Sequence, residues 1–191
     1  MRKLIALAAL AAAPALFAQS KTYEVKNGSA EFHAEDTYDS FDGKTNAVSG
    51  TIVADASKPA ASTVTITIDM STLDTGNSLR NKEMKELYLQ TPKFPTATFK
   101  SASVSGPASI AVGQPADISV TGDFTLHGVT KRMTFPVHVA LIADGRIHAT
   151  ANFKVKMPDF GISVPHNILV TVEDMVPVRL EVWASPLHPE R

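Results

Sequence analysis

Two runs of alternating apolar and polar residues, separated by His127-Gly128, constrain the fold of this chain more than any other feature. Apolar and polar side chains alternate between Val120 and Leu126, and a second alternating run begins at Val129. Alternation with a period of two is typical of a strand that buries one face. Because Gly128 can adopt a positive φ angle, the segment predicts two long antiparallel strands joined by a tight turn.

The same alternation recurs along most of the chain and indicates an all-β fold. The runs are bounded by Gly, Pro, Asn and Asp, which are typical of turns between strands. Strands are predicted over residues 22–26, 30–34, 43–54, 64–70, 96–104, 118–126, 129–141, 147–157 and 168–182, the last with a β-bulge near Asp174. About eight such strands favour a single antiparallel β-barrel, because closure removes exposed edges. A β-sandwich is the alternative.

One segment, residues 77–89, has the pattern of a helix instead. It is rich in helix-forming residues, and Asn77 or Ser78 can cap its N-terminus. Pro92 and Pro95 follow and end the helical pattern. Its predicted stripe consists of Arg80, Met84, Leu87 and Tyr88.

Residues 1–19 are predicted to be a signal peptide, which leaves residues 20–191 as the folded domain. Arg2 and Lys3 precede an apolar run over residues 4–17, which has about the length of a signal-peptide core and is short for a bilayer span. Cleavage is expected after Ala18 or one residue later, and an uncleaved anchor is the alternative. We therefore expect a periplasmic protein.

Composition excludes several classes of function. The chain has no Cys, which removes disulfides, thiolate catalysis and Cys-ligated zinc. Without Arg2 and Lys3, 16 basic residues stand against 19 acidic ones, a net charge of −3 with no basic cluster. This charge pattern predicts no nucleic-acid partner, and no other long apolar run is present, so stable membrane insertion is not expected.

Catalytic and metal-binding patterns are also missing from the sequence. The six His residues lack the i, i+2 or i, i+4 spacing of common metal sites, and no nucleophile elbow or phosphate-binding loop occurs. Asp36, Asp39 and Asp42 do not match a calcium loop. The sequence therefore predicts no catalytic residue, no metal site and no cofactor.

Several motifs resemble a known family, in matching order and spacing. The segment 122–131, Gly-Asp-Phe-Thr-Leu-His-Gly-Val-Thr-Lys, is similar to the G-x-L-T-[IL]-H-G-V-T-[KR] signature of the YceI-like lipid/polyisoprenoid-binding family. The other matching motifs are Val64–Asp69, Leu73-Asp74-Thr75, residues 80–84 with the pattern R-[DN]-x-x-[LM], residues 94–99 with the pattern [YF]-P-x-A-x-F, and Asp159-Phe160-Gly161-Ile162. Many members have His at the positions of Asp36 and Glu83.

The resemblance implies a lipocalin-like β-barrel that acts as an exported carrier. Its expected ligand is an amphipathic isoprenoid lipid, of the polyprenyl phosphate or quinone type, held in the apolar barrel interior. Beside Asp74, Arg80 is expected to form a structural salt bridge, with a head-group clamp as the alternative role. The candidate ligand-binding residues are Val64, Ile66, Ile68, Arg80, Met84, Leu87, Tyr88, Phe99, Phe124, Phe135, Val137, Ala151 and Phe153.

Two other functions remain open at this point. One is a hydrolase or isomerase acting on a lipid, with Asp74, Glu83 or His127 as acid or base. The other is a stress-response interaction module whose barrel core is filled. The sequence leaves open whether the barrel is hollow, and whether the protein is a monomer or a homodimer.

Overall fold

The computed structural model describes residues 20–166 and 171–187, and these residues form an antiparallel barrel with one short helix. The predicted signal peptide lies outside the described residues. The strands are β1 (Lys21–Glu35), β2 (Ser40–Thr45), β3 (Val48–Ala54), β4 (Thr63–Asp69), β5 (Thr96–Ser105), β6 (Ala116–Leu126), β7 (Val129–Leu141), β8 (Ile147–Lys156) and β9 (Met175–Pro186).

The barrel wall is eight strands wide although nine strands are present. Strands β3 to β9 pair in chain order, and β9 closes the barrel on β1. On its other side, β1 pairs first with β3 and then with β2, so these two short strands share one position. The predicted closed antiparallel barrel is therefore confirmed. The strand predicted over residues 43–54 is interrupted at Asn46 and Ala47.

The inward faces follow the predicted parities. In β4, Ile66 and Ile68 are buried whereas Thr65 is exposed. Strand β8 turns Ile147, Ala151 and the residues of the same parity toward the interior. This alternation lines the barrel with apolar side chains and leaves the polar ones in the solvent.

Strand β1 differs from its prediction. The segments 22–26 and 30–34 belong to one strand, with a register shift against β9 between Val25 and Asn27. The extra residue, Lys26, reverses the parity, so that Val25 and Ala30 are both buried.

The bulge predicted near Asp174 is not found there, because β9 begins at Met175 and Asp174 lies in the bend before it. Before this bend, Val172 forms an isolated bridge with Asp36. The predicted strand residues Ile168 and Val170 lie outside the described residues.

The helical segment begins as α1 (Ser78–Glu83) and continues as a π-helical turn over Met84–Tyr88. The Asn77 side chain accepts hydrogen bonds from the backbone N–H groups of Leu79 and Arg80, which confirms the predicted cap. Within the described part of the chain, no helix is long and apolar enough to cross a membrane.

Candidate functional site

Two apolar chambers lie end to end inside the barrel. The first chamber, of about 330 Å³, is at the end that carries α1 and the β6–β7 turn, and the second, of about 150 Å³, extends toward the β7–β8 hairpin. Four residues contribute to the walls of both chambers and form a collar between them. The collar residues are Ile68, Ala97, Phe124 and Phe153. The barrel interior therefore contains two apolar cavities that share four wall residues, and its side chains do not fill it completely.

The second chamber is lined by strand residues that the sequence predicted to face inward. It opens between the inward faces of β4 to β8, where small side chains such as Ala149 and Ala151 leave room. The candidate ligand-binding residues on its wall, besides those of the collar, are Val64, Ile66, Phe99, Phe135, Val137 and Ala151.

Phenylalanine rings pack against one another where the two chambers meet. Phe135 lies with its ring centroid 4.3 Å from that of Phe153 and 5.1 Å from that of Phe99. Phe124 packs edge-on against Phe153 at 6.0 Å and against Phe160 at 5.6 Å. Tilted and edge-to-face pairs of this kind hold the rings in defined positions. The two rings of the collar, Phe124 and Phe153, are therefore held in place by neighbouring rings.

The helical segment covers part of the first chamber. Arg80, Met84 and Tyr88 lie on the chamber wall, as their predicted stripe requires. Leu87 contributes to neither chamber and is 63% exposed. The π-helical turn explains this difference, because the Leu89 N–H donates to the Met84 carbonyl and the wider turn rotates Leu87 outward and Leu89 inward.

Some chamber residues were absent from the candidate set. Ala97, in the collar, shares its parity with Phe99 on β5, so extending the alternation of that strand would have found it. Phe41 on β2 and Leu89 line the first chamber, and Tyr23 lines the second. Their sequence signal is weak, since they belong to short or irregular elements. Burial raises the pKa of the Tyr23 hydroxyl.

The ion pair expected between Arg80 and Asp74 is not formed. Asp74 accepts hydrogen bonds from the Asn81 side chain at 2.7 Å and from the Gly76 N–H at 2.9 Å, and these bonds lower the pKa of its carboxyl group. The Arg80 guanidinium instead lies 4.1 Å from the centre of the Phe41 ring. The Asn81 side chain thus holds the helix to Asp74, and Arg80 lies on the wall of the first chamber instead.

The residues considered as acid or base do not converge on one point. Asp74 and His127 line neither chamber, and Glu83 is exposed at the edge of the first. The His127 ring donates from Nδ1 to the Phe160 carbonyl at 3.1 Å, so this hydrogen bond joins the β6–β7 turn to the segment that contains Phe160. Within residues 20–166 and 171–187, no three His, Asp or Glu residues are placed to hold a metal ion.

Comparison with known proteins places the chain in a family. The model of the YceI-like domain matches residues 22–184, which include every described strand position but the ends of β1 and β9. This chain therefore belongs to the YceI-like family, and the resemblance carried by the motifs is confirmed.

Two curated relatives illustrate the similarity. Protein YceI of Escherichia coli O17:K52:H18 is 36% identical over 121 residues, which is 59% of this chain and 59% of that protein. A UPF0312 protein of Shewanella sp. strain W3-18-1 is 33% identical over 130 residues, 64% of each chain. The chain thus matches less than two thirds of the length of these relatives.

Solved structures share the fold at low sequence identity. BcnA of Burkholderia cenocepacia superposes with a TM-score of 0.70 at 22% identity, over 83% of this chain and 96% of BcnA. A polyisoprenoid-binding domain from Saccharophagus degradans, implicated in plant cell wall breakdown, gives a TM-score of 0.69 at 19% identity, over 86% and 98% of the two chains. At these identities the similarity demonstrates a common barrel.

Proposed function

We propose that this protein binds one elongated amphipathic lipid of the isoprenoid type inside the barrel, with its apolar tail extending from the first chamber past the collar into the second. The observation that carries this proposal is the end-to-end arrangement of two chambers walled by apolar side chains. The first chamber lies within the range of about 300–1,000 Å³ that is common for ligand sites.

Burial of the tail supplies the binding energy in this proposal. Removing a few hundred Å² of hydrocarbon from water, at roughly 25 cal/mol per Å², is worth several kcal/mol before the cost of immobilising the lipid. No covalent step is needed, which agrees with the separate positions of Asp74, Glu83 and His127. Binding, rather than catalysis, is the function that this interior supports.

Membership in the family and the polyisoprenoid-binding domain among the structural neighbours support the same ligand class. The particular lipid, a polyprenyl phosphate or a quinone, is part of the proposal.

We also propose that the protein reaches the periplasm through a cleaved signal peptide. The basic, apolar and small residues at positions 2–18 support this proposal. The intact mass of the exported protein should correspond to a chain that starts at Gln19 or Ser20. A full-length product retained in the membrane fraction would contradict it.

An organic extract of the purified protein tests the binding function. The protein is produced with its N-terminal segment intact, purified without detergent, extracted and examined by mass spectrometry. We expect an isoprenoid lipid in near-stoichiometric amount that is absent from an unrelated exported protein purified in parallel. If the extract contains no lipid and the delipidated protein does not bind added geranylgeraniol, the proposed function is wrong.

A further inference from the structure

We propose that two loops at the far end of the second chamber, residues 55–62 and 106–115, limit the length of the lipid tail that the barrel accepts. We call these two loops the floor. The inference rests on the proposed function and makes it more specific, because it assigns the selection of tail length to a defined part of the chain. Three observations support it: the floor lies in the course of the tail, it is held by hydrogen bonds, and the apolar wall ends there.

The first observation is the position of the floor. Its loops connect β3 to β4 and β5 to β6, so they leave the barrel at the same end as the β7–β8 hairpin. Each loop contributes an apolar side chain to the wall of the second chamber, Pro59 from the first loop and Ile110 from the second. Pro59 is buried, and Ile110 is partly buried. A tail that extends past the collar toward this end therefore meets these two side chains.

The second observation is that hydrogen bonds hold the floor in place. The Ile110 N–H donates to the Ala56 carbonyl at 2.8 Å, which joins the two loops to each other. The Gly113 N–H donates to the Leu141 carbonyl at 2.8 Å, which ties the second loop to the end of β7. The floor is thus continuous from the β3–β4 connection to β7.

Local hydrogen bonds fix the shape of the first loop as well. Pro59–Ala61 form a 3₁₀ turn, after which the Ser62 N–H donates to the Pro59 carbonyl at 2.9 Å. The Asp55 carboxylate accepts hydrogen bonds from the N–H and the hydroxyl of Ser57, at 2.9 and 2.6 Å. The proline ring also restricts the backbone at position 59. A longer tail can displace this loop only by breaking some of these bonds, which costs free energy.

The third observation is a change of polarity at the floor. The strands line the second chamber mainly with apolar side chains, whereas the floor adds Asp55 and Ser62 to its wall. The neighbouring loop residues Ser57 and Lys58 are exposed to the solvent. Tail carbons gain binding energy only where they leave water for apolar surroundings. A tail that reaches the floor therefore gains no further affinity from additional isoprene units.

The test measures which tail lengths the barrel accepts. Delipidated protein is mixed with an equimolar set of prenyl alcohols of increasing length, namely geraniol, farnesol, geranylgeraniol, geranylfarnesol and solanesol, and the bound fraction of each is measured by native mass spectrometry. Each isoprene unit that is buried should raise the affinity about 10- to 100-fold. We expect this rise to stop at the longest tail that reaches the floor, so that solanesol binds no more tightly than the best shorter alcohol.

Variants of the floor connect this limit to the loops. Ile110→Ala removes three carbon atoms from the floor and should raise the ratio of longer to shorter bound alcohols about 5- to 10-fold. Ala54→Phe, at the inward last position of β3, should lower this ratio. Val112→Ala is the matched control, because Val112 lies in the same loop, is 57% exposed and lines neither chamber. Because all variants receive the same mixture, solubility differences among the alcohols cancel in the comparison with wild type.

Two results would overturn the inference. One is a wild-type affinity that continues to rise up to solanesol, which would mean that the tail passes the floor. The other is a folded Ile110→Ala variant, as judged by its melting temperature, whose bound alcohols have the same distribution as those of Val112→Ala. If the wild-type protein binds an alcohol in either case, the proposed function stands without the limit on tail length. If it binds none of the alcohols, the proposed function fails as well.

Discussion

At the scale of single residues, the turn between β6 and β7 shows how one position serves several elements. His127 and Gly128 both have positive φ angles, of 51° and 75°, and Leu126 pairs directly with Val129. Two residues with positive φ match the twist of long antiparallel strands. The His127 ring bonds to the Phe160 carbonyl and packs edge-on against Phe94, at 4.5 Å. The turn therefore connects three separate segments at the first chamber's end.

We predict that Gly128→Ala is markedly more destabilising than Gly113→Ala. Both glycines have a φ angle near +75°, so each substitution carries the strain of about 1–2 kcal/mol of a left-handed residue. A Cβ at Gly128 would also lie 2.6 Å from the Phe94 ring, whereas nothing lies within 4 Å at Gly113. Urea denaturation measures both. Equal losses would show that Phe94 does not constrain the turn.

A second residue-scale prediction concerns acid stability. The hydrogen bond from His148, together with that from Arg179, lowers the pKa of the Glu181 carboxyl group. A group whose pKa is lower in the folded state stabilises the fold above its unfolded pKa and loses this contribution as the pH falls through the folded value.

Glu181→Gln should therefore reduce the free energy of unfolding at pH 7 by about 0.2–1 kcal/mol, which is modest because the pair is partly exposed. The difference from wild type should vanish in acid, below the folded pKa of Glu181. Denaturation curves at pH 7 and in acid check this, and a difference that persists in acid would contradict it.

At the scale of elements, the sequence predicts strands well where the alternation is unbroken. The parities of β4, β6, β7 and β8 follow directly from their apolar residues. In β1, one inserted residue, Lys26, reverses the parity, so a single long strand looks like two short ones. A bulge depends on the register of the neighbouring strand, which local alternation does not contain.

The helical segment shows the same limit. A spacing of 3.6 residues per turn places Arg80, Met84 and Tyr88 on the chamber side, and this part of the prediction agrees with the structure. The widened turn after Glu83 removes Leu87 from that side and brings in Leu89. Likewise, Phe41 and Ala97 reach the site through strand pairing and packing. Only the position of Ala97 could have been predicted from the sequence, by extending the alternation of its strand.

The two faces of β4 provide a test at this scale. Ile66 is 4% exposed and pairs with Phe99, whereas Thr65 is exposed and pairs with Lys100. Ile66→Asp places an unpaired charge in the apolar interior and should cost several kcal/mol. Thr65→Asp, opposite Lys100, should be nearly neutral. Melting temperatures that fall equally would mean that the faces are assigned incorrectly.

At the scale of the whole molecule, the barrel surrounds a space that its side chains do not fill. One chamber lies toward the helix-bearing end of the barrel and the other toward the β7–β8 hairpin, and the collar residues lie between them. The inward parity alone cannot predict such a space, because it depends on the summed volumes of side chains from all the strands. The volume of the second chamber can be reduced most simply by enlarging one of the small residues of β8.

Ala151→Phe should reduce lipid binding without unfolding the protein. Ala151 is buried between its pairing partners Val137 and Leu180 and lines the second chamber, so the added ring has space to occupy where the tail would lie. Asn152→Phe, on the exposed parity of the same strand, is the control. Lipid content by mass spectrometry and the melting temperature are measured together. A loss of about 1–3 kcal/mol in stability would instead indicate an overpacked core.

The central claim is that a lipid tail lies within the barrel and passes the collar. It is tested most directly by photocrosslinking with a geranylgeranyl probe that carries a diazirine at the end of its tail, followed by peptide mapping. We predict adducts on residues of the second chamber, such as Ala151 or Val137, and their disappearance when unlabelled geranylgeranyl lipid competes. Adducts confined to exposed residues, or labelling that the competitor does not reduce, would contradict the account.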